Sequence, residues 1–124
     1  MSINLKFNEE AGYIEVSVNG DFSLKTLKKI AEGVTDFVKK HNCNYILNDL
    51  RNATLDDSPL SVYSMPKTSL EAGIERKVKR AILVNELGPD YRFLETVFVN
   101  QGNIVKIFEN FDKAKTWLLE GKKS

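Results

Sequence analysis

Cysteine occurs once, as Cys43, and histidine once, as His41. A lone cysteine closes no internal disulfide and anchors no multi-thiolate metal site, a usage that suits a reducing compartment. The remaining metal-ligating residues are carboxylates without the spacing of a calcium loop or a zinc site, so no metal is expected. His41 and Cys43 lie two residues apart at the end of a predicted helix, and no Gly-x-Ser-x-Gly elbow is present, so a nucleophile–base arrangement is not expected. The seven glycines are scattered as turn and cap residues instead of forming a phosphate loop, and no cofactor is expected. An excess of one charge sign is also missing. Eighteen Lys and Arg face seventeen Asp and Glu, a net charge of +1, which gives no global field for nucleic acid or an anionic membrane. No apolar run approaches the ~20 residues of a membrane span, and Met1-Ser2-Ile3-Asn4-Leu5-Lys6 shows no secretory pattern, so a cytoplasmic protein without an integral membrane segment is expected.

What is present is an ordinary globular composition, 42% hydrophobic and 28% charged, in a chain of 124 residues, long enough for one core. No repeat, linker or low-complexity tract invites a cut. Residues 1–120 read as a single domain and 121–124 as a frayed tail. Ile3, Leu5 and Phe7 alternate with polar residues, as do Ile14, Val16 and Val18, with Glu9 to Gly12 as the turn, predicting a β-hairpin. Ser23 precedes a helical pattern of Leu27, Ile30, Ala31, Val34, Phe37 and Val38, predicting a helix over 24–40. Tyr45 to Leu50 reads as a buried strand followed by a long loop. Ser58 then stands at the N-cap position before Pro59, which suits the first helical turn. Leu60, Tyr63, Pro66, Leu70 and Ile74 define the apolar face of that second helix, with Pro66 expected to kink or split it and Gly73 to end it.

Val78–Val84 predicts the next strand, Gly88-Pro89-Asp90 a helix closed by Gly102, Ile104–Phe108 a last strand, and residues from about 112 a short helix with Ala114, Trp117 and Leu118 inward. The order is ββαβαβαβα. It implies an α/β fold with an open mixed sheet of five helix-covered strands, four parallel and the first antiparallel at one edge. Ligands of such sheets sit at the strand C-termini, here Asn19 to Asp21, Asn48 to Arg51, Asn85-Glu86 and Glu109-Asn110.

Asp49 and Arg51, a carboxylate and a guanidinium at the start of the loop, are placed to orient a polar ligand or to anchor that loop as an ion pair. Ser58 caps the second helix or, if phosphorylated, switches a docking surface. Val62 and Met65 fall off the Leu60/Tyr63/Leu70 face, and either expose apolar surface for a partner or bury under the preceding loop. Glu75 to Arg80 carries four cations without interleaved aromatics, which reads as a solvated connection and not a nucleic-acid site.

Ile46-Leu47-Asn48-Asp49-Leu50-Arg51, the Tyr63 to Lys67 stretch, Lys79-Arg80-Ala81-Ile82-Leu83-Val84, and Phe93 to Val97 through Gly102 to Trp117-Leu118 together resemble the SpoIIAA-like branch of the STAS domains, sometimes grouped with SEC14-type lipid-binding domains. The resemblance covers nearly the whole chain through loose, mostly core motifs. It implies a non-enzymatic module that binds a protein partner or a small ligand, with a SEC14-like carrier of a lipid or apolar small molecule as the alternative. Signalling members carry an Asp-Ser-Ser-Gly-like stretch with a phosphorylated serine at the start of the second helix. Here Leu50-Arg51-Asn52-Ala53-Thr54 stands in that place, so the phosphoserine is not carried over to Ser58. The expected contact surface is the loop after the third strand with the first half of the second helix: Asp49, Arg51, Ser58, Val62, Tyr63 and Met65. A homodimer is compatible with the sequence, and a catalytic role, which would draw on Asp49, Arg51, Tyr63 and Asn85, is the least favoured reading.

Overall fold

Apolar residues at every second position of the strands and every third or fourth of the helices need a common place to bury, and the fold supplies two of unequal size. The computed structural model describes residues 2–122. The elements are β1 (Ser2–Asn8), β2 (Tyr13–Phe22), α1 (Leu24–His41), β3 (Tyr45–Leu55), α2 (Pro59–Glu71), β4 (Lys79–Leu83), α3 (Pro89–Asn100), β5 (Ile104–Phe108) and α4 (Phe111–Leu119). The strands lie in the order β1-β2-β3-β4-β5, with β1 antiparallel to β2 and every other pair parallel. The expected ββαβαβαβα order and mixed sheet are therefore the observed ones.

One face of the sheet carries α1, α2 and α3. Leu27, Ile30 and Val34 of α1, Val62 and Met65 of α2, and Leu94 and Phe98 of α3 join Val16, Ile46, Ile82 and Ile107 of the strands in the larger apolar cluster. Each such side chain stabilises the fold by roughly 1.5–3 kcal/mol through burial. The other face has α4, whose Ala114 and Leu118 pack on Tyr13, Leu47 and Ala81.

Local chemistry sets the ends of these elements. Ser23 accepts from the Thr26 amide at 3.4 Å to start α1, and Lys39, Lys40 and His41 occupy its last turn, where cations complement the helix dipole. His41 stacks on Phe7 with ring centroids 4.1 Å apart, while the buried Cys43 donates weakly to the Gly12 and Tyr45 carbonyl oxygens. The two side chains serve packing on separate partners. After α2, Gly73 takes φ +110°, and its amide donates to Leu70 while that of Ile74 donates to Ser69, the left-handed exit that favours glycine. A Cβ there would lie 2.8 Å from Thr35 Cγ2, so the close approach of α2 to α1 requires glycine as well. In the segment read as a tail, Lys122 Nζ donates to the Ala11 and Gly12 carbonyls at 3.1 and 2.7 Å. Lys123 and Ser124 lie outside the described residues.

Candidate functional site

β3 runs to Leu55, well past the expected end at Leu50, and this moves the candidate residues out of a loop and into a strand. Its second half pairs with Asn19 to Phe22 of β2, so Asn19-Gly20-Asp21 is strand as well. The pairing with β4 stops at Asp49 opposite Leu83, leaving β2 and β3 to project together beyond their neighbour. Backbone pairing, and not apolar patterning, holds this extension, which is why its polar residues read as loop. A bulge interrupts it. Ser17 pairs with Asp49 but Asn19 with Asn52, so Leu50 and Arg51 together oppose Val18. The extra residue switches the parity of β3. Ile46 and Leu50 belong to the larger core, whereas beyond the bulge Ala53 and Leu55 pack against it.

Asp49 lies on the α4 side of the sheet with Leu47, and Arg51, in the bulge, reaches it with its side chain. Arg51 holds the Asp49 carboxylate in a fork, with Nε to Oδ1 at 3.0 Å and Nη2 to Oδ2 at 2.8 Å, and its amide donates to Oδ1 at 3.1 Å. Asn85 Nδ2 donates to the Arg51 carbonyl at 2.7 Å, tying the strand end to the segment after β4. The guanidinium hydrogen bonds keep the Asp49 carboxyl below its ordinary pKa and, reciprocally, raise that of Arg51. The pair presents a fixed dipole at the sheet rim, with the Arg51 side chain 45% exposed.

The second helix is rotated relative to its expected face. Val62 and Met65, expected off the core face, are 1% and 0% exposed, while Leu60 and Tyr63, expected on it, are 78% and 62% exposed. Two overlapping stripes occur in this sequence, 60/63/67/70 and 62/65/66/69, and spacing alone does not choose between them. Ser69 decides. Turned inward, its hydroxyl accepts from the buried Arg80 guanidinium at 3.3 Å, a bond that an inward Leu70 would not supply. Pro66 sits within the continuous helix without splitting it. Ser58 stands at the N-cap position, but its hydroxyl makes no cap bond; the Asp56 carboxylate instead accepts from the Ser58 amide at 3.3 Å and the Ser61 hydroxyl at 3.1 Å.

The six expected site residues therefore separate. Asp49 and Arg51 lie on the α4 side of the sheet, Ser58 and Tyr63 on the exposed surface at α2, and Val62 and Met65 in the core. No hydrogen bond or ion pair among the described residues joins the first pair to Ser58 or Tyr63. Two features escaped the sequence reading. One is the solvent-facing stripe Leu60, Tyr63 and Leu70, with exposed Lys67 between them. The other is Arg80, placed with the solvated cations but 5% exposed; its alternation with Ile82 and Val84 in an apolar strand carried that signal. Under α2 the packing leaves a cavity of about 40 Å³, lined in part by Phe22, Leu27, Leu50, Arg80, Ile82 and Leu94. Among the described residues, no helix is long and apolar enough to cross a membrane.

Sequential strands with one antiparallel edge, three helices on one face and one on the other, define an α/β domain of SpoIIAA-like fold. No family model and no curated protein matches the sequence. Among solved structures, an anti-sigma factor antagonist from Mycobacterium paratuberculosis is similar at a TM-score of 0.59 and 16% identity, over 96% of this chain and 96% of its own. An uncharacterized protein of the DUF3478 family with a SpoIIAA-like fold, from Shewanella loihica PV-4, is similar at a TM-score of 0.58 and 17% identity, over 94% of this chain and 92% of its own. At such identities the likeness establishes the fold.

Proposed function

We propose that this chain is a non-enzymatic regulatory module of the cytoplasm that docks a protein partner on the outer side of α2. The observation that carries this reading is the exposed stripe Leu60, Tyr63 and Leu70. Apolar side chains aligned along one solvent-facing helix side are uncommon on a surface that needs no partner. Asp56, Asp57 and the rotamer-poor tyrosine give that stripe the mixed character of a specific interface. The similarity to an anti-sigma factor antagonist supports a partner of protein class.

A photo-crosslinker placed at Leu60, compared in native lysate between the otherwise unchanged chain and Tyr63→Asp, tests the reading. The expected result is a discrete adduct that Tyr63→Asp removes while far-ultraviolet circular dichroism is unchanged. An adduct that survives Tyr63→Asp and Leu70→Asp alike places the contact elsewhere, and an adduct of twice the chain mass makes the partner a second copy.

For the alternative, carriage of a lipid or apolar small molecule beneath α2, the packing there leaves a cavity of about 40 Å³, the room of roughly three waters.

A further inference from the structure

The outer side of α2 carries an order that the packing of the helix on its own sheet does not require. Leu60, Tyr63, Lys67 and Leu70 follow one another at steps of three, four and three residues, the spacing by which one helix presents a straight seam to another. All four are exposed, while Val62, Met65, Pro66 and Ser69 serve the core from the opposite side. At a rise of 1.5 Å per residue the seam is about 15 Å long.

The seam is symmetric about the level of Met65. Leu60 and Leu70 stand five residues to either side of that level, and Tyr63 and Lys67 two. Laid against itself end for end, the seam sets leucine on leucine and brings the Lys67 ammonium to the face of the Tyr63 ring, a favourable cation–aromatic approach. Charge beyond the seam continues the match. At the start of the helix Asp56 accepts only from the Ser58 amide and the Ser61 hydroxyl, and Asp57 has no hydrogen bond or ion pair among the described residues. At the other end Arg76 joins Lys67 and Leu70 in lining one groove. Its Nε donates to the Gln101 carbonyl at 2.8 Å, and neither cation has an ion-pair partner among the described residues. Glu71, one turn after Lys67, reduces the positive charge of that end without reversing it. A parallel copy would therefore set like charges together, and an antiparallel copy sets opposite ones together.

We propose that the partner of this surface is a second copy of the same chain, packed α2 against α2 in antiparallel fashion about a two-fold axis at the level of Met65. The proposal rests on the docking reading given above and names its partner. Such a contact is isologous, so each favourable pair occurs twice. Its extent is small, because four side chains over about 15 Å fall short of the roughly 800 Å² per partner of a standard interface. The dimer is accordingly reversible, with a Kd on the order of 10–100 μM.

Sedimentation velocity of the full chain, from about 5 to about 500 μM, is the test. A concentration-dependent passage from monomer to dimer is expected. Leu70→Asp is expected to weaken it at least about tenfold and Lys67→Glu at least about fivefold, since each removes two contacts per dimer and turns the positive end acidic. Both positions are exposed, and unchanged far-ultraviolet circular dichroism certifies the fold. Disulfide capture reads the orientation. A mixture of Leu60→Cys and Leu70→Cys chains is expected to form covalent dimer at least about fivefold faster than either variant alone, whose like cysteines would lie about 15 Å apart. A chain that stays monomeric throughout the range overturns the proposal. So does a dimer that Leu70→Asp and Lys67→Glu leave intact, or capture that is faster in either cysteine variant alone. The photo-crosslinker at Leu60 separates the two readings. An adduct of heterologous mass on a monomeric chain, removed by Tyr63→Asp, overturns the second copy and leaves the docking reading standing, whereas absence of both dimer and adduct overturns both.

Discussion

Arg80 on β4 and Arg51 on the adjacent β3 occupy opposite faces of one sheet and meet opposite electrostatic conditions. On the three-helix face Arg80 is buried among neutral acceptors, and desolvation lowers its pKa. On the α4 face Arg51 grips a carboxylate in partial contact with water, and its pKa rises. The difference follows from coverage. Three helices exclude solvent from one side, whereas the nine-residue α4 packs chiefly against β3, β4 and β5 and leaves the rim of β2 and β3 exposed. Charge on the covered side must find its compensation in the interior, while charge on the other side finds it in a neighbour and in solvent.

The sharpest way to break this comparison is to weaken each face in turn. Leu94→Ala, at a fully buried position of the larger cluster, is expected to cost about 3–5 kcal/mol in urea unfolding. Leu118→Ala, equally buried in the smaller cluster, is expected to cost about 2–3 kcal/mol, because the thinner layer relaxes more readily into the space left. Equal losses at both positions would mean that the two faces contribute alike.

At the start of α2, Asp56→Ala is expected to lose about 0.5 kcal/mol, since its carboxylate takes the bonds expected of a cap, whereas Ser58→Ala stays within experimental error. A larger loss for Ser58→Ala would restore the hydroxyl as the capping group.

For the exposed ion pair, the sign follows from the lowered pKa of Asp49. Its contribution is complete above the unfolded carboxylate value near 4 and is lost as pH falls through the lower folded value. Asp49→Asn should therefore flatten the acid limb of stability measured from about pH 4 downward, and cost less than about 1 kcal/mol at neutral pH because the partner is solvated. A steeper acid limb in the variant would contradict the assignment.

The smallest change is expected from the residue that looks most critical. Arg80→Met should leave stability unchanged or slightly raised, because an apolar side chain of similar length avoids desolvating a cation. A loss of about 3 kcal/mol would instead make the guanidinium a brace between α2 and the Asn103 segment.

Much of the fold was legible because its signals are local. Ser23 before an amphipathic run, Pro59 and Pro89 at first helical turns, and Gly73 and Gly102 at left-handed exits each act within a few residues of where they stand. The candidate site was less legible. Val62 and Met65, open in the sequence between an exposed patch and burial under the preceding loop, are buried, and Arg51, expected with Asp49 to flank the start of a loop, lies within a strand.

The order of strands and helices, the antiparallel first edge and the positions of most caps were determined by the amino-acid sequence itself, through hydrophobic period and the backbone preferences of Ser, Pro and Gly. Tertiary structure alone decided the length of β3, the rotation of α2 and the burial of Arg80. Each of these depends on a partner distant in sequence: Asn19 to Phe22 for the strand extension, Arg80 for the inward turn of Ser69, and Asn103 for the guanidinium. A helix with two usable stripes takes its rotation from the polar group it must satisfy, and that group becomes its neighbour only when the sheet has formed.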